Sequence, residues 1–207
     1  MRRQGAIRQI ALLALLGGSL MLTACVQDTS DAEEAAYNAS VVAAQARVET
    51  SVEGLDVLRS SLARQIDDPD AVDQSTFARV CQPVGRRAQA LAQENGWVVQ
   101  QLAERNRNPA HTLDDEARTV HERFAENPDL QRVWHEDTVL NGTSGQRFFQ
   151  RITVEETCLA CHGPKGDRPA FVKSGYPNDR AYGFETGDLR GLYAVFVPDS
   201  LLTAAQH

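Results

Sequence analysis

The sequence predicts an α+β fold in which long helices pack on an antiparallel β-sheet. Two amphipathic helix patterns fill residues 40–94, and four strand patterns follow between residues 97 and 197. Helices that come first and strands that come later are typical of a helical layer on an antiparallel sheet. The chain has 207 residues, 42% of them hydrophobic, which suits one domain with a core and short extensions.

The amino terminus has the pattern of a lipoprotein signal peptide. Arg2, Arg3 and Arg8 precede an apolar run over residues 10–22, which is too short for a convincing membrane span. The run ends in Leu-Thr-Ala-Cys at residues 22–25, which resembles a bacterial lipobox. We therefore predict a signal peptide over residues 1–24 and an acylated thiol at Cys25, with simple secretion and an unmodified cysteine as the alternative.

Charge and compartment restrict the function further. Removal of residues 1–24 takes away three arginines and no acidic residue, so the formal net charge changes from −7 to 18 − 28 = −10. An acidic chain argues against nucleic acid as a partner. The expected location is the periplasmic face of a bacterial membrane, inner or outer, with residues 25–40 as a polar tether.

Two helices are predicted before the first strand. The first spans residues 40–66, and its apolar residues recur at steps of three and four: Val48, Val52, Leu55, Leu58, Leu62 and Ile66. The second spans residues 71–94, and its stripe contains Phe77, Val80, Cys81, Val84, Ala88 and Leu91. Cys81 is therefore expected to face the core, where a free cysteine is ordinarily a small buried hydrophobe. Pro83 predicts a kink just after it, and Asn95-Gly96 ends the helix.

The middle of the chain alternates strands and turns. Residues 97–102 are predicted to form a strand, and residues 105–109 a basic turn. Thr112 is the expected cap of a helix with acidic residues in its first turn and an apolar stripe, which Asn127-Pro128 stops. That stripe contains Leu113, Ala117, Val120 and Phe124.

Three further strands complete the expected sheet. They cover residues 131–140, 146–154 and 190–197, with Asn141-Gly142 beginning a turn between the first two. Residues 163–187 are rich in Gly, Pro and Asp and are expected to form a loop. The predicted domain spans residues 41–200, and residues 201–207 form a tail.

The strand over residues 146–154 leads into Cys158-Leu159-Ala160-Cys161-His162, which reads C-x-x-C-H. Two thiols at this spacing can be joined to the vinyl groups of one porphyrin, and the following imidazole can bind its iron. The alternatives are a structural zinc site and a disulfide with a nearby histidine. A structural zinc usually has four ligands, often from a second paired cluster, and the sequence has no second C-x-x-C and no H-x-x-x-H. The motif predicts one covalently attached haem c per chain.

Counting sulfur atoms limits the other axial ligand of the iron. Met1 and Met21 are the only methionines, and both precede Cys25, so His/Met ligation is excluded for the mature chain. The remaining candidates are the unpaired Cys81, another histidine, Lys165 or Lys173, or no side chain at all. His121 is expected to be an interface residue, and His135 and His207 are expected to be solvated. Arg107 and Arg190 could pair with haem propionates or simply be exposed, and Tyr176 and Tyr182 could shield the porphyrin or merely pack.

Several motifs together resemble one known family, the Tll-type single c-type haem domain. The resembling segments are Val80-Cys81 with Pro83, Arg107-Asn108-Pro109, the C-x-x-C-H with Gly163, Tyr176-Pro177-Asn178-Asp179 with Ala181 and Gly183, and Gly187-Asp188-Leu189-Arg190-Gly191. The likeness covers about residues 50–198. The later motifs in this order are more specific than the C-x-x-C-H.

The resemblance implies a PAS-like fold and a His/Cys-ligated haem. Carried to this sequence, His162 is the proximal ligand and Cys81 the distal one. One departure is His111, where the family pattern tends to have asparagine, and this leaves His111, like His121, as a competitor for the distal position.

Three functions are compatible with these features. The first is a redox or diatomic-gas sensor module that responds to NO, CO or O2 and signals to a separate partner protein. The second is a single-haem electron carrier. An enzyme comes last, because the sequence shows no clear distal acid/base pair and no second haem motif.

Overall fold

The structure is a computed structural model that describes the backbone of residues 18–202 and the side chains of residues 30–202. Most of the predicted signal peptide (residues 1–24) and the last five residues of the predicted tail therefore lie outside the described residues, as does the side chain of Cys25. Among the helices of residues 18–202, none is long and apolar enough to cross a membrane.

The first helix, α1, spans Gly18–Ala63 and begins well before the predicted boundary. The predicted tether of residues 25–40 is thus helical, and residues 30–39 are exposed. Contact with the core begins at Ser40 and continues through Val48, Val52 and Leu55, which are almost fully buried. This confirms the predicted helical face, although the helix ends three residues earlier than expected.

The second predicted helix is two helices, α2 over Gln74–Val80 and α3 over Gln82–Asn95. Cys81 lies at the interruption, and Pro83 occupies the first turn of α3, where a missing N–H costs no helical hydrogen bond. The predicted kink is confirmed as a full break. The expectation that Cys81 faces the core is wrong: Val80 and Val84 are buried, whereas Cys81 is exposed because the break takes it out of their row.

Helix α3 ends at Gly96, as predicted, with φ of 69° in the left-handed region. Helix α4 spans Asp115–Glu126, and its predicted stripe is buried. The predicted cap is wrong, because Asp114 rather than Thr112 accepts the hydrogen bond from the Ala117 N–H, at 2.9 Å. Thr112 instead ends a short 3₁₀ turn over Pro109–His111.

Four antiparallel strands form one sheet in the order β1-β4-β3-β2. Their bounds are Val98–Leu102 (β1), Arg132–Leu140 (β2), Thr143–Thr153 (β3) and Leu189–Pro198 (β4). Asn141 and Gly142 join β2 to β3 with φ of 51° and 82°, the positive values that a tight hairpin turn requires.

The two faces of the sheet bury separate clusters. Helices α1 and α3 cover one face through Phe148, Ile152, Tyr193, Val195 and Val197 of β3 and β4. Helix α4 covers the other face through Phe149, Leu192 and Ala194. Alternation in the sequence predicts that Phe148 and Ile152 share one face of β3. In β4 it predicts that Leu192 and Ala194 lie opposite Tyr193, Val195 and Val197. The structure confirms both predictions and the α+β class.

Three short helices were not predicted: α5 (Leu159–His162), α6 (Ala170–Gly175) within the expected loop, and α7 (Asp199–Leu202). Leu202, in the predicted tail, packs in the cluster under α1. Helices of four to six residues are too short to show a periodic pattern, which is why the sequence did not reveal them.

Candidate functional site

The C-x-x-C-H segment occupies a single helical turn between β3 and the segment that leads to α6. A 3₁₀ turn over Glu156–Cys158 runs into α5, so Cys158 and Cys161, three residues apart, lie on neighbouring positions of one helical face. The turn is held by the Cys158 N–H, which donates to the Glu155 carbonyl at 2.9 Å. Both thiols are free cysteines.

Gly163 closes this turn. Its N–H donates to the Leu159 carbonyl at 2.8 Å, and a Cβ at this position would lie 2.7 Å from the same oxygen. Two backbone bonds then pin the segment around residue 183 to the motif: Gly183 N–H to Gly163 O at 2.7 Å and Phe184 N–H to His162 O at 3.1 Å. The loop and the motif therefore form one unit.

The ring of His162 is held in a defined tautomer. Its Nδ1 lies 2.7 Å from the Ala181 carbonyl oxygen and 3.5 Å from Arg107 Nη2. A carbonyl only accepts and a guanidinium only donates, so the shorter contact decides: Nδ1 carries the proton and donates to Ala181. The lone pair is then on Nε2, the arrangement found in histidines that bind metals.

Burial, together with the positive charges of Arg190 and Arg107, lowers the pKa of His162 well below its usual value. The imidazole is therefore neutral at physiological pH, which is the form that binds iron. Arg107 itself is fixed by its Nη2, which donates to the Cys161 carbonyl at 2.8 Å.

The buried carboxylate of Asp179 holds the guanidinium group of Arg107 in place. Asp179 has a fully buried side chain, which accepts from Arg107 Nε at 3.3 Å, from Arg168 Nη1 at 2.7 Å and from the Ala181 N–H at 2.9 Å. Burial alone would raise the pKa of Asp179, but these partners lower it below its usual range. Asp179 thus orients both Arg107 and the backbone that holds His162.

Helix α1 reaches the other side of the motif. Arg59 Nη1 lies 3.8 Å from Cys158 Sγ, and Arg59 Nη2 pairs with Glu155 at 3.1 Å. Ser60 Oγ donates to the second oxygen of Glu155 at 2.9 Å. Arg59 and Ser60 of α1 therefore hold the side chain of Glu155, three residues before Cys158.

These elements enclose a cavity of about 520 Å³, which we call the haem-site cavity. Its walls are the α2–α3 junction, the end of β1, the bulged start of β4 and the motif. Cys81, Cys158, Cys161 and His162 all line it. The other lining residues used below are Phe77, Val84, Arg59, Arg107, His111, Tyr176 and Arg190.

The candidate side chains for the second iron ligand lie in different parts of the structure. His111 lines the haem-site cavity together with Cys81, whereas His121 lines a different cleft. His135 pairs with Glu116 at 2.7 Å, and His207 lies outside the described residues. Lys165 contacts the ring of Tyr182, and Lys173 donates to the Gly166 carbonyl, so neither lysine faces the cavity. Of the candidate side chains, Cys81 and His111 remain, beside the alternative that no side chain fills this position.

Cys81 borders the open space of the haem-site cavity, which is why its side chain is exposed. The protein around the cavity still withdraws it from bulk water, and this burial raises the pKa of its thiol to about 11, with Cys161 adding to the effect. The thiol is therefore neutral at physiological pH in the protein alone. A thiolate at this position requires a bound metal ion to hold it.

Arg190 reaches the cavity because the sheet is irregular at this point. Ile152 pairs with Gly191 but Thr153 pairs with Leu189, so Arg190 is an extra residue in β4. Such bulges redirect side chains and are common beside functional sites. Gly191 is required next to it, because a Cβ there would lie 2.4 Å from the Leu102 carbonyl oxygen.

These residues fit the haem expected from the sequence. One cavity brings together two thiols at the attachment spacing, a neutral imidazole in the metal-binding tautomer, a free thiol and several cations. Its volume lies in the range of cofactor pockets, about 300–1,000 Å³. Among the side chains of residues 30–202, no group of three or more His, Cys, Asp or Glu residues is placed to hold a bare metal ion.

Sequence reasoning missed the roles of Arg59 and Asp179. Asp179 stood in a recognised motif and Arg59 in a predicted helix, but their partners are 72 and 96 residues away along the chain. No local pattern signals such pairs. Arg107, Arg190 and Tyr176 do line the cavity, as one of their two interpretations allowed, whereas Tyr182 packs against Arg168 instead.

Comparisons with known proteins agree with this geometry. No curated protein sequence matches the chain significantly. The crystal structure of the cyanobacterial heme-protein Tll0287 is similar, with 42% sequence identity, a TM-score of 0.66 and coverage of 74% of this chain and 94% of that one. The family model described as Tll0287-like matches residues 29–198. The chain therefore belongs to the Tll0287-like family.

Proposed function

We propose that this protein carries one covalently attached haem c and works as a redox or diatomic-gas sensor module. Cys158 and Cys161 provide the thioether links, His162 is one iron ligand, and Cys81 is the other. The observation that carries the proposal is the convergence of these four side chains on one cavity, with His162 held by Ala181. The similar heme-protein Tll0287 supports it.

When bound, a haem would supply an iron that changes oxidation state and that could bind a diatomic gas. The chain contributes the rest. His162 presents Nε2 because Nδ1 is occupied, and Arg107 would offer positive charge to the haem propionates. Cys81 would hold the iron as a thiolate, and because burial raises the pKa of its thiol to about 11, the side chain would be protonated whenever the metal did not hold it.

The route for a signal in this proposal is helix α1. Its Arg59 contacts Cys158, and the same helix continues toward residue 25, where we propose the lipid anchor. A change at the motif would thus reach the membrane side of the protein, where a separate signalling or redox partner receives it. The proposed location is the periplasmic face of a bacterial membrane.

Electron transfer is the second candidate. The exposure of Cys81 favours it, because a cavity wall open to solvent brings a haem within reach of a redox partner. That the protein is not an enzyme stays a prediction, which turnover assays with peroxide and nitrite would check.

The first test is haem attachment. The mature protein, made with a haem-attachment system, should keep its colour on a denaturing gel and contain one haem per chain. The full chain has a mass of 22.7 kDa, and removal of the signal peptide would make it smaller. Cys158→Ser with Cys161→Ser should lose the colour, and Cys81→Ser should keep it. A colourless wild-type protein would refute the proposal.

A redox titration with and without CO or NO separates the two roles. Gas uptake or a ligand change on reduction supports the sensor. Reversible electron exchange with no gas binding supports the carrier.

Cys25→Ser tests the anchor: the variant should leave the membrane fraction while keeping its haem spectrum. A variant that stays in the membrane would contradict acylation at Cys25.

A further inference from the structure

A second cleft shares one lining residue, Arg190, with the haem-site cavity. It has a volume of about 380 Å³ and lies between α4 and the start of β4. The side chains used here are Glu104, Arg105, His121, Arg151, Phe184 and Arg190. We call it the arginine cleft, because three guanidinium groups converge on it in a chain of formal net charge −7.

Two of these arginines have no carboxylate partner. Arg190 Nη1 donates to the Arg105 carbonyl at 3.1 Å, and no acidic side chain of residues 30–202 lies within ion-pair distance of it. Within residues 30–202, Arg151 donates to three backbone carbonyl oxygens at and just after the end of α4, those of Phe124, Asn127 and Leu130. Most of the donors that a guanidinium offers to a carboxylate or phosphate therefore remain unused on Arg190.

The cations are also held close to one another. The guanidinium groups of Arg105 and Arg190 both stack on the ring of Phe184, at 3.5 and 5.4 Å from its centroid. Burial and the charge of Arg107 lower the pKa of Arg190 to about 10, so it stays protonated at neutral pH while experiencing repulsion. A bound anion would relieve that repulsion.

The acidic residues of the cleft leave an excess of positive charge. Asp188 lies 3.8 Å from Arg105 and accepts from the Glu185 N–H at 2.9 Å, so it is turned toward its own loop. Glu104 is the other carboxylate of the lining. Burial lowers the pKa of His121, which is therefore neutral. Three arginines against two carboxylates leave one positive charge, which a small monoanion would neutralise.

We propose that the arginine cleft binds a small oxyanion, of the carboxylate or phosphate type, and that Arg190 couples its occupancy to the haem-site cavity. Carboxylates and phosphates present two oxygen atoms that accept paired hydrogen bonds from one guanidinium group, which chloride cannot do. The binding site stands on the cleft alone, whereas the coupling rests on the proposed haem function.

The direct test is calorimetric titration of the haem-loaded protein with acetate and with phosphate at constant ionic strength. Wild-type protein should bind at least one of them saturably, and chloride should not compete. Arg105→Gln should weaken binding about tenfold, as expected for loss of one charged hydrogen-bonding partner. Glu104→Gln should tighten it about threefold, because it removes a repelling charge.

Arg118→Gln is the matched control, since Arg118 is exposed on α4 and does not line the cleft. If Arg118→Gln weakened anion binding as much as Arg105→Gln, the effect would come from the net charge of the protein and not from the cleft, and the proposal would be overturned. Absence of saturable uptake by wild-type protein would also overturn it, as expected if a haem carboxylate already occupies Arg190. Glu104→Gln keeps the test decisive if Arg105→Gln does not fold.

The coupling has its own readout. An anion beside Arg190 stabilises the more positive oxidised form, so saturating acetate or phosphate should lower the midpoint potential. By linkage, each tenfold preference for the oxidised protein corresponds to about 59 mV. Binding without any shift would refute the coupling. If the protein carries no haem, the proposed function fails, but calorimetry on that haem-free protein still decides the anion site.

Discussion

Cys81 and His111 line the same cavity, so these two side chains are the candidates for the second iron ligand of the proposed haem. A thiolate donates more electron density to ferric iron than an imidazole and lowers the reduction potential. Cys81→Ala should therefore change the ferric absorption and EPR spectra and raise the midpoint potential. His111→Ala is the matched control and should leave both nearly unchanged. The opposite pattern would assign the position to His111.

A second prediction at this scale concerns Asp179. Asp179→Asn keeps the acceptor for the Ala181 N–H but removes the charge that two buried arginines face. Breaking a buried ion pair from one side should lower the free energy of unfolding by about 3 kcal/mol. Urea unfolding at neutral pH measures the loss. Asp167→Asn, an exposed change in the same loop, should have almost no effect.

The pH dependence of this variant gives a second readout. Folding lowers the pKa of Asp179, so its contribution is complete above the unfolded value of 3.8 and is lost as the pH falls through the folded value. The difference between wild type and Asp179→Asn should be largest near neutral pH and shrink at about pH 3. A difference that does not change with pH would mean that the charge is not responsible.

At the scale of elements, the β1–β4 pairing forms one edge of the haem-site cavity. Gly191→Ala would place a Cβ 2.4 Å from the Leu102 carbonyl oxygen and 3.0 Å from the Cβ of Ala103. The strands would have to separate, and we expect the free energy of unfolding to fall by about 2 kcal/mol, with weaker haem retention. Thermal melting and the haem content of purified protein measure the two effects.

Gly54→Ala is the opposite case, since Gly54 lies inside α1 and a Cβ added there would have no neighbouring atom within 4 Å. Alanine is the better helix former by about 0.8 kcal/mol, so this variant should be more stable than wild type. Stabilisation by both glycine changes would contradict the close approach at Gly191.

For the whole molecule, the two sheet clusters form one wall of the haem-site cavity, since Val84, Leu102 and Ile152 belong to the clusters and also line the cavity. Helix α2 and the loop that follows the motif lie outside both clusters and close the cavity from the other side through residues such as Cys81 and Tyr176. Without haem, Cys158→Ser with Cys161→Ser should keep most of its far-UV circular dichroism. Hydrogen exchange should rise in residues 74–81 and 163–187 while β3 and β4 stay protected. Global unfolding, or no change in exchange, would contradict this division.

Local patterns in the sequence determined the motif, the sheet and most helices. Spacing alone identified Cys158, Cys161 and His162, and alternation along β3 and β4 assigned side chains to the two faces, because these signals depend on neighbours in the chain. The sequence also limited the candidates for the second ligand of the proposed haem to a few side chains, since both methionines lie in the predicted signal peptide.

Only the tertiary structure decided how distant residues meet. It brought Asp179 to Arg107 and Arg59 to Cys158, separated His111 from His121, and moved Cys81 from a core stripe to a cavity wall. It also showed that Arg190, the extra residue at the β4 bulge, lines both cavities. The physical reason is that burial, charge and cavity shape depend on contacts between elements, and no short window of sequence contains both partners of such a contact.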